Sequence, residues 1–269
     1  MKLNVILRTC DVKSLQSDRI VDKAECVTTC LNSLVKSLRA SKLDYKIHII
    51  DDMSSHQTKT AISNICPEAS VEYLMERDEE GLNVKQKSRY SVQVAYEYIH
   101  KLPDNELVYI VEDDYLHYED SISKMVEAWN YFSEFLRGIG TEHVGIFPQD
   151  LNRLCLYPQN QFFQTYVQPC IMLAGPDRYY RTTWYTHESF MCSTSLIKKY
   201  KDIFDSLLTI GSVDGQWEGS TITNVWNKPE VKMLMPLGTL AVHMGNAEDI
   251  SFYCNDWKEL WDKNFIKGE

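Results

Sequence analysis

An α/β fold with a mostly parallel central sheet flanked by helices is predicted by three observations in the sequence. Apolar, β-branched runs alternate with stretches of helical period through the first part of the chain, and a β-α-β-α-β series favours parallel strands joined by right-handed crossovers. Two of those runs end abruptly in acids, Ile49-Ile50 in Asp51-Asp52 and Val108-Tyr109-Ile110-Val111 in Glu112-Asp113-Asp114. No tract rich in Pro, Gly or Ser and no internal repeat divides the 269 residues, which predicts a single domain.

Residues 3 to 8 predict a first strand, left by the loop Thr9-Cys10-Asp11. Val27, Leu31, Leu34, Val35 and Leu38 fall on one face of a helix over 21–41. A second strand at 45–50 runs into Asp51-Asp52-Met53-Ser54. A short helix near 57–65 and a strand near 71–75 come next. A helix over 84–101, with Val84, Ser88, Val92, Ala95, Tyr96 and Ile99 on one side, stops before Pro103, and the acid-tipped strand 107–111 begins almost at once. Beyond the acids, a helix over 119–137 ends at Gly138 and Gly140, and a strand follows at 143–147. Residues 150–187 are rich in Gln, Tyr, Arg and Pro without a clean period, which predicts a loop or irregular hairpin lining a site. A strand at 188–194, helices at 195–207 and 216–226, and a strand within 230–243 that ends in Leu-Ala-Val-His complete the chain.

Composition removes several functions. A formal net charge of −10 argues against a general nucleic-acid or anionic-membrane surface. No run approaches the ~18 apolar residues of a membrane span, and Arg8 interrupts the N-terminal apolar stretch before a secretory core forms. The eight cysteines include no C-x-x-C pair, which predicts reduced thiols and a cytoplasmic protein. Nothing in the sequence addresses oligomeric state.

A strand such as 107–111 is buried on both faces, and its carboxyl end is where an open α/β sheet places ligands. Three adjacent carboxylates repel one another unless a cation or hydrogen bonds compensate them. A solvated acidic turn is the plain alternative. A hard cation, Mn²⁺ or Mg²⁺, takes one or two carboxylates, fills its remaining positions with phosphate oxygens and water, and stabilises the charge on a departing diphosphate.

On Leu7-Arg8-Thr9, Asp51-Asp52-Met53-Ser54 and Glu112-Asp113-Asp114, the last as counterpart of a D-x-D motif, the chain resembles nucleotide-sugar-dependent glycosyltransferases of the GT-A fold, particularly the large family-2-like set. The resemblance covers residues 3–118, and it implies a nucleotide-sugar-binding half over 1–118 and an acceptor-binding half over 119–269. It further implies Arg8, Thr9, Asp51, Asp52 and Asp113 around the nucleotide, Asp114 as metal ligand with Glu112 supporting it, and His243 completing the metal shell. Glu112 departs from the strict motif, which has Asp there. Lys85 and Arg89, one turn apart, are candidates to face the diphosphate, with solvated helix-face charges as the alternative. The implied reaction moves a sugar from a nucleoside diphosphate sugar, UDP-linked by family frequency, to a hydroxyl of a glycan or other acceptor.

Asp214 stands where inverting members carry a base, with Glu218 second and Glu188 third. A carboxylate within reach of the acceptor hydroxyl suffices for that role, and a turn residue before Gly215 is the plain reading of Asp214. Tyr157, Phe162, Phe163, Tyr166, Tyr179, Tyr180, Trp184 and Tyr185 are candidates to stack on sugars or to fill the core.

Other classes lack their signatures. The glycine-rich phosphate loop of a sugar-nucleotide pyrophosphorylase is missing after the first strand, as is the D-x-D of a dehalogenase-type phosphatase. No P-loop, G-x-G-x-x-G, serine-hydrolase or zinc-protease motif is present. The remaining rival is a GT-A-like domain that binds a nucleotide or glycan without turnover.

Overall fold

The computed structural model describes residues 1–11, 21–74, 84–150, 170–184, 186, 189–206, 218–244 and 256–266. The elements are β1 (Leu3–Thr9), α1 (Lys23–Ser41), β2 (Tyr45–Asp51), α2 (His56–Ile65), β3 (Ser70–Tyr73), α3 (Val84–His100), β4 (Leu107–Glu112), β5 (Tyr115–His117) and α4 (Ser121–Arg137). They continue with β6 (His143–Ile146), β7 (Met172–Ala174), β8 (Tyr179–Thr183), β9 (Phe190–Ser193), α5 (Thr194–Lys199), α6 (Lys201–Ser206), α7 (Glu218–Trp226), β10 (Val231–Pro236), β11 (Ala241–His243) and α8 (Trp257–Asn264).

One sheet in the order β3-β2-β1-β4-β9-β6-β10-β8-β7 runs through the molecule and crosses the boundary expected at residue 118. Strands β1, β2, β3, β4, β6, β10 and β7 point one way, and β8 and β9 run against them. The sheet is therefore largely parallel, with the reversals in its second half. β9 separates β4 from β6 by pairing antiparallel to both.

Helices cover both faces. One core layer joins Tyr109 and Val111 of β4 to α1, α2 and α4, and the other joins Val108 and Ile110 to α3, α5, α6 and α7. β4 is thus buried on both sides, as its uninterrupted apolar run requires. In α1, Val27, Leu31, Leu34, Val35 and Leu38 all face the core, and Asp22 caps the helix by accepting the Ala24 N–H at 2.9 Å. The helix expected over 195–207 is two short helices parted at Tyr200, whose hydroxyl donates to Glu230 at 2.6 Å.

Residues 172–183 form the hairpin β7–β8, and 151–169 lie outside the described residues. Two features go beyond the sequence reading. β5 and β11 pair as a separate antiparallel ribbon just past the acid triplet. Helix α8 packs on that ribbon and on α1, where Cys26, Cys30, Leu116, Val242, Met244, Leu260 and Trp261 form a third core cluster. Among the described residues, no helix is long and apolar enough to cross a membrane.

Candidate active site

The strand register brings the acid-bearing ends together. Thr9 lies opposite Asp51 across β1–β2, and Arg8 lies opposite Glu112 across β1–β4. Asp51 is fully buried; its carboxylate accepts the Ser54 N–H at 3.0 Å and the Thr9 hydroxyl at 3.4 Å. Burial holds its carboxyl above the usual carboxylate range, and the bonds from Ser54 only partly offset that. The turn that makes these bonds puts Met53 in the left-handed region at φ 64°. Asp52, whose backbone N–H donates to Thr9 O at 2.8 Å, follows Asp51 on the strand end. Asp11 ties the β1 loop to this turn: its carboxylate accepts the Ser55 N–H at 3.0 Å and the Ser55 hydroxyl at 2.6 Å.

The triplet after β4 divides among three partners. The Glu112 carboxylate meets the Arg8 guanidinium at 3.3 Å. Asp113 accepts the Cys10 N–H at 2.8 Å and pairs with the ammonium of Lys23, the first residue of α1. Asp114 Oδ1 lies 3.4 Å from His243 Nε2. Their side chains are 10 % and 13 % exposed, so the pair is largely withdrawn from water yet still reachable.

The ribbon makes this last meeting. His243 pairs with Tyr115 across β5–β11, the two rings lie 5.0 Å apart, and Met244 N–H donates to Asp114 O at 2.7 Å. Tyr115 is buried beside Glu112 and Asp114; burial first, and then those charges, push its hydroxyl pKa up. The Cys30 thiol is pushed up as well, by burial first, then by Cys26, and then by the charges of Asp114 and Asp113.

One carboxylate oxygen and one imidazole nitrogen make a fitting two-donor set for a divalent cation that completes its shell with phosphate oxygens and water. The imidazole suits Mn²⁺ better than Mg²⁺. Glu112 stands with Arg8, and among the described residues no group of three or more His, Cys, Asp or Glu is placed to hold a metal ion.

Arg89 on α3 is 7 % exposed, and its Nε has no hydrogen-bond partner among the described residues. Lys85 and Glu218 belong to α3 and α7, but their side chains, like the whole of Asp214 and Glu188, lie outside the described residues. Tyr157, Phe162, Phe163, Tyr166 and Tyr185 lie there too. Of the remaining aromatics, Tyr180 is a core residue set edge-on to Phe132 at 5.2 Å, Trp184 packs against the second core layer, and Tyr179 is exposed.

Lys23, the Cys10 N–H and Ser189, whose Oγ accepts the Glu112 N–H at 3.0 Å, join the site without any mark in the sequence. Their partners lie far along the chain, and a lysine opening a helix has no pattern of its own.

No family model matches the chain, and no curated protein matches it. Among solved structures it is similar to Staphylococcus aureus TarS 1–349 in complex with UDP, at 17% identity and a TM-score of 0.47, over 87% of this chain and 60% of that one. It is similar to the galactosyltransferase LgtC in complex with donor and acceptor sugar analogues, at 11% identity and a TM-score of 0.44, over 86% of this chain and 72% of that one. A similarity of the same order links it to 4-diphosphocytidyl-2C-methyl-D-erythritol synthase, at 9% identity and a TM-score of 0.42, over 97% and 96% of the two chains. The chain spans about 60% of the TarS structure that it matches.

Proposed function

We propose that the chain is a GT-A glycosyltransferase that moves a sugar from a nucleoside diphosphate sugar, UDP-linked by preference, to a hydroxyl of a glycan or other acceptor, with Mn²⁺ or Mg²⁺ held by Asp114 and His243. The observation that carries this reading is the Asp114–His243 pair at 3.4 Å, at the carboxyl end of β4 and on the same sheet edge as Asp52. When bound, the cation supplies positive charge to the departing diphosphate.

The other roles belong to the chain's own groups. Thr9 and Asp52 hold the nucleoside, while Asp51, turned inward, fixes the bend that presents Asp52. Arg89, a buried guanidinium whose Nε has no partner among the described residues, offers charge and hydrogen bonds to the diphosphate, with Lys85 one turn before it. Arg8 orients Glu112 beside the cation site. Asp214, or failing it Glu218 or Glu188, takes the proton of the acceptor hydroxyl as that oxygen attacks the anomeric carbon, which inverts the configuration.

Release of nucleoside diphosphate from a panel of UDP-, GDP- and TDP-sugars, with Mn²⁺ and with or without acceptor glycans, tests the reading. Slow release by the natural chain, lost in a folded Asp114→Ala variant, is the expected result. Tight nucleotide binding with no release from any donor or acceptor replaces the enzyme by a binding domain.

A further inference from the structure

We propose that Lys23 is a positioning residue that, by engaging Asp113 together with the Cys10 N–H, holds the turn carrying Asp114 in its cation-binding pose. The inference rests on the function proposed above. Asp113 is 8 % exposed, and each of its oxygens is engaged: Oδ2 accepts the Cys10 N–H at 2.8 Å and Oδ1 pairs with Lys23 Nζ. The middle acid is therefore occupied by the protein itself and joins three parts of the fold: the loop after β1, the first turn of α1 and the turn after β4.

Helix preference does not account for Lys23. A cation at the first helical position faces the positive end of the helix dipole, where acids are favoured. Asp22 already caps α1, and Glu25 already supplies the acid of the first turn. The Lys23 side chain is only 10 % exposed, so its ammonium has left water for Asp113.

Asp114 is the next residue along the same turn. Its own backbone is pinned at the carbonyl by Met244 N–H at 2.7 Å, and Asp113 anchors the same turn one residue earlier. Without Lys23, Asp113 keeps the Cys10 N–H but loses its tie to the first turn of α1, and the turn that carries Asp114 is no longer held from that side.

Titration of Mn²⁺ in the presence of UDP, followed by the paramagnetic resonance of the free ion, reads this directly without turnover. Lys23→Met is expected to weaken Mn²⁺ binding by about tenfold, the loss typical when the support behind a metal ligand is removed, and Lys23→Arg to restore most of it. Lys23→Met with Asp113→Asn removes both charges, so this double variant carries the test if Lys23→Met does not fold. It is expected to melt close to the natural chain yet bind Mn²⁺ as weakly as Lys23→Met. Natural affinity in a less stable Lys23→Met, or in the double variant, overturns the positioning role and leaves the proposed function standing. Absence of Mn²⁺ binding in the natural chain with UDP, GDP and TDP alike overturns both.

Discussion

At the end of β2, Asp51 is fully buried and is held by hydrogen bonds from Ser54 and Thr9, while at the end of β4 three acids pair with Arg8, Lys23 and His243 in turn. Both ends face the repulsion between adjacent carboxylates. β2 resolves it by turning one acid inward, where burial raises its pKa. β4 resolves it by giving each acid its own partner. Two of those partners are permanent cations; the third, at Asp114, is an imidazole, a group that holds a proton or a metal with the same lone pair. The difference separates an acid that shapes a turn from one suited to binding a cation.

Substitutions at the two ends sharpen that contrast. Asp114→Ala is expected to lower Mn²⁺-dependent nucleotide release about a thousandfold, or ~4 kcal/mol, with the melting temperature little changed. Asp51→Asn is expected to keep most of that activity, because Asn still accepts the Ser54 N–H. Equal losses in the two variants break the comparison.

Trp261→Ala strikes the β4 end from behind. It opens a cavity in the cluster that supports Leu116, Val242 and Met244, at about 3 kcal/mol of stability in denaturant unfolding. Because that cluster backs the ribbon, Mn²⁺ affinity is expected to fall with it, while nucleotide binding without metal holds.

Acid titration of stability separates the same two ends by sign. Burial lowers the His117 pKa to about 3 on the ribbon beyond β4, where its Nε2 bonds the Tyr109 hydroxyl at 2.9 Å. The stability that His117 contributes is present above its ordinary pKa of 6.5 and is lost as pH falls towards 3. Asp51 has the opposite slope: its raised pKa favours the folded state as pH falls, and the contribution is lost as pH rises through the folded value. Thermal melts from pH 7 to pH 4 are expected to show a shallower acid loss in His117→Gln than in the natural chain and a steeper one in Asp51→Asn. Parallel curves contradict both assignments.

Much of this contrast is legible in the sequence, for reasons that differ along the chain. The strands β1, β2 and β4 and the helices α1 and α4 announce themselves because long elements repeat their period several times, and the acids stand out because they end apolar runs. Parallel pairing then carries Asp51 and Glu112 to one edge without further information. The ribbon is another matter. Tyr115-Leu116-His117 is too short to show a period, and without it nothing in the sequence brings His243 to Asp114. Strand direction has no local signature either, so β8 and β9 look no different from their parallel neighbours. The spacing of Trp257, Leu260 and Trp261 does mark α8, in a helix of only 8 residues with a polar remainder. The pairing of Lys23 with Asp113 has no mark at all, being a meeting of two separate loops made by the fold.

In the proposed function, Asp114 and His243 share one divalent cation with a nucleoside diphosphate. Calorimetric titration of UDP into the protein with and without Mn²⁺, repeated on His243→Ala, tests it most directly. Tight, Mn²⁺-dependent binding by the natural chain is expected, with loss of the Mn²⁺ dependence in His243→Ala and the fold unchanged. UDP binding that is indifferent to Mn²⁺ in the natural chain, or equally Mn²⁺-dependent in both proteins, contradicts it.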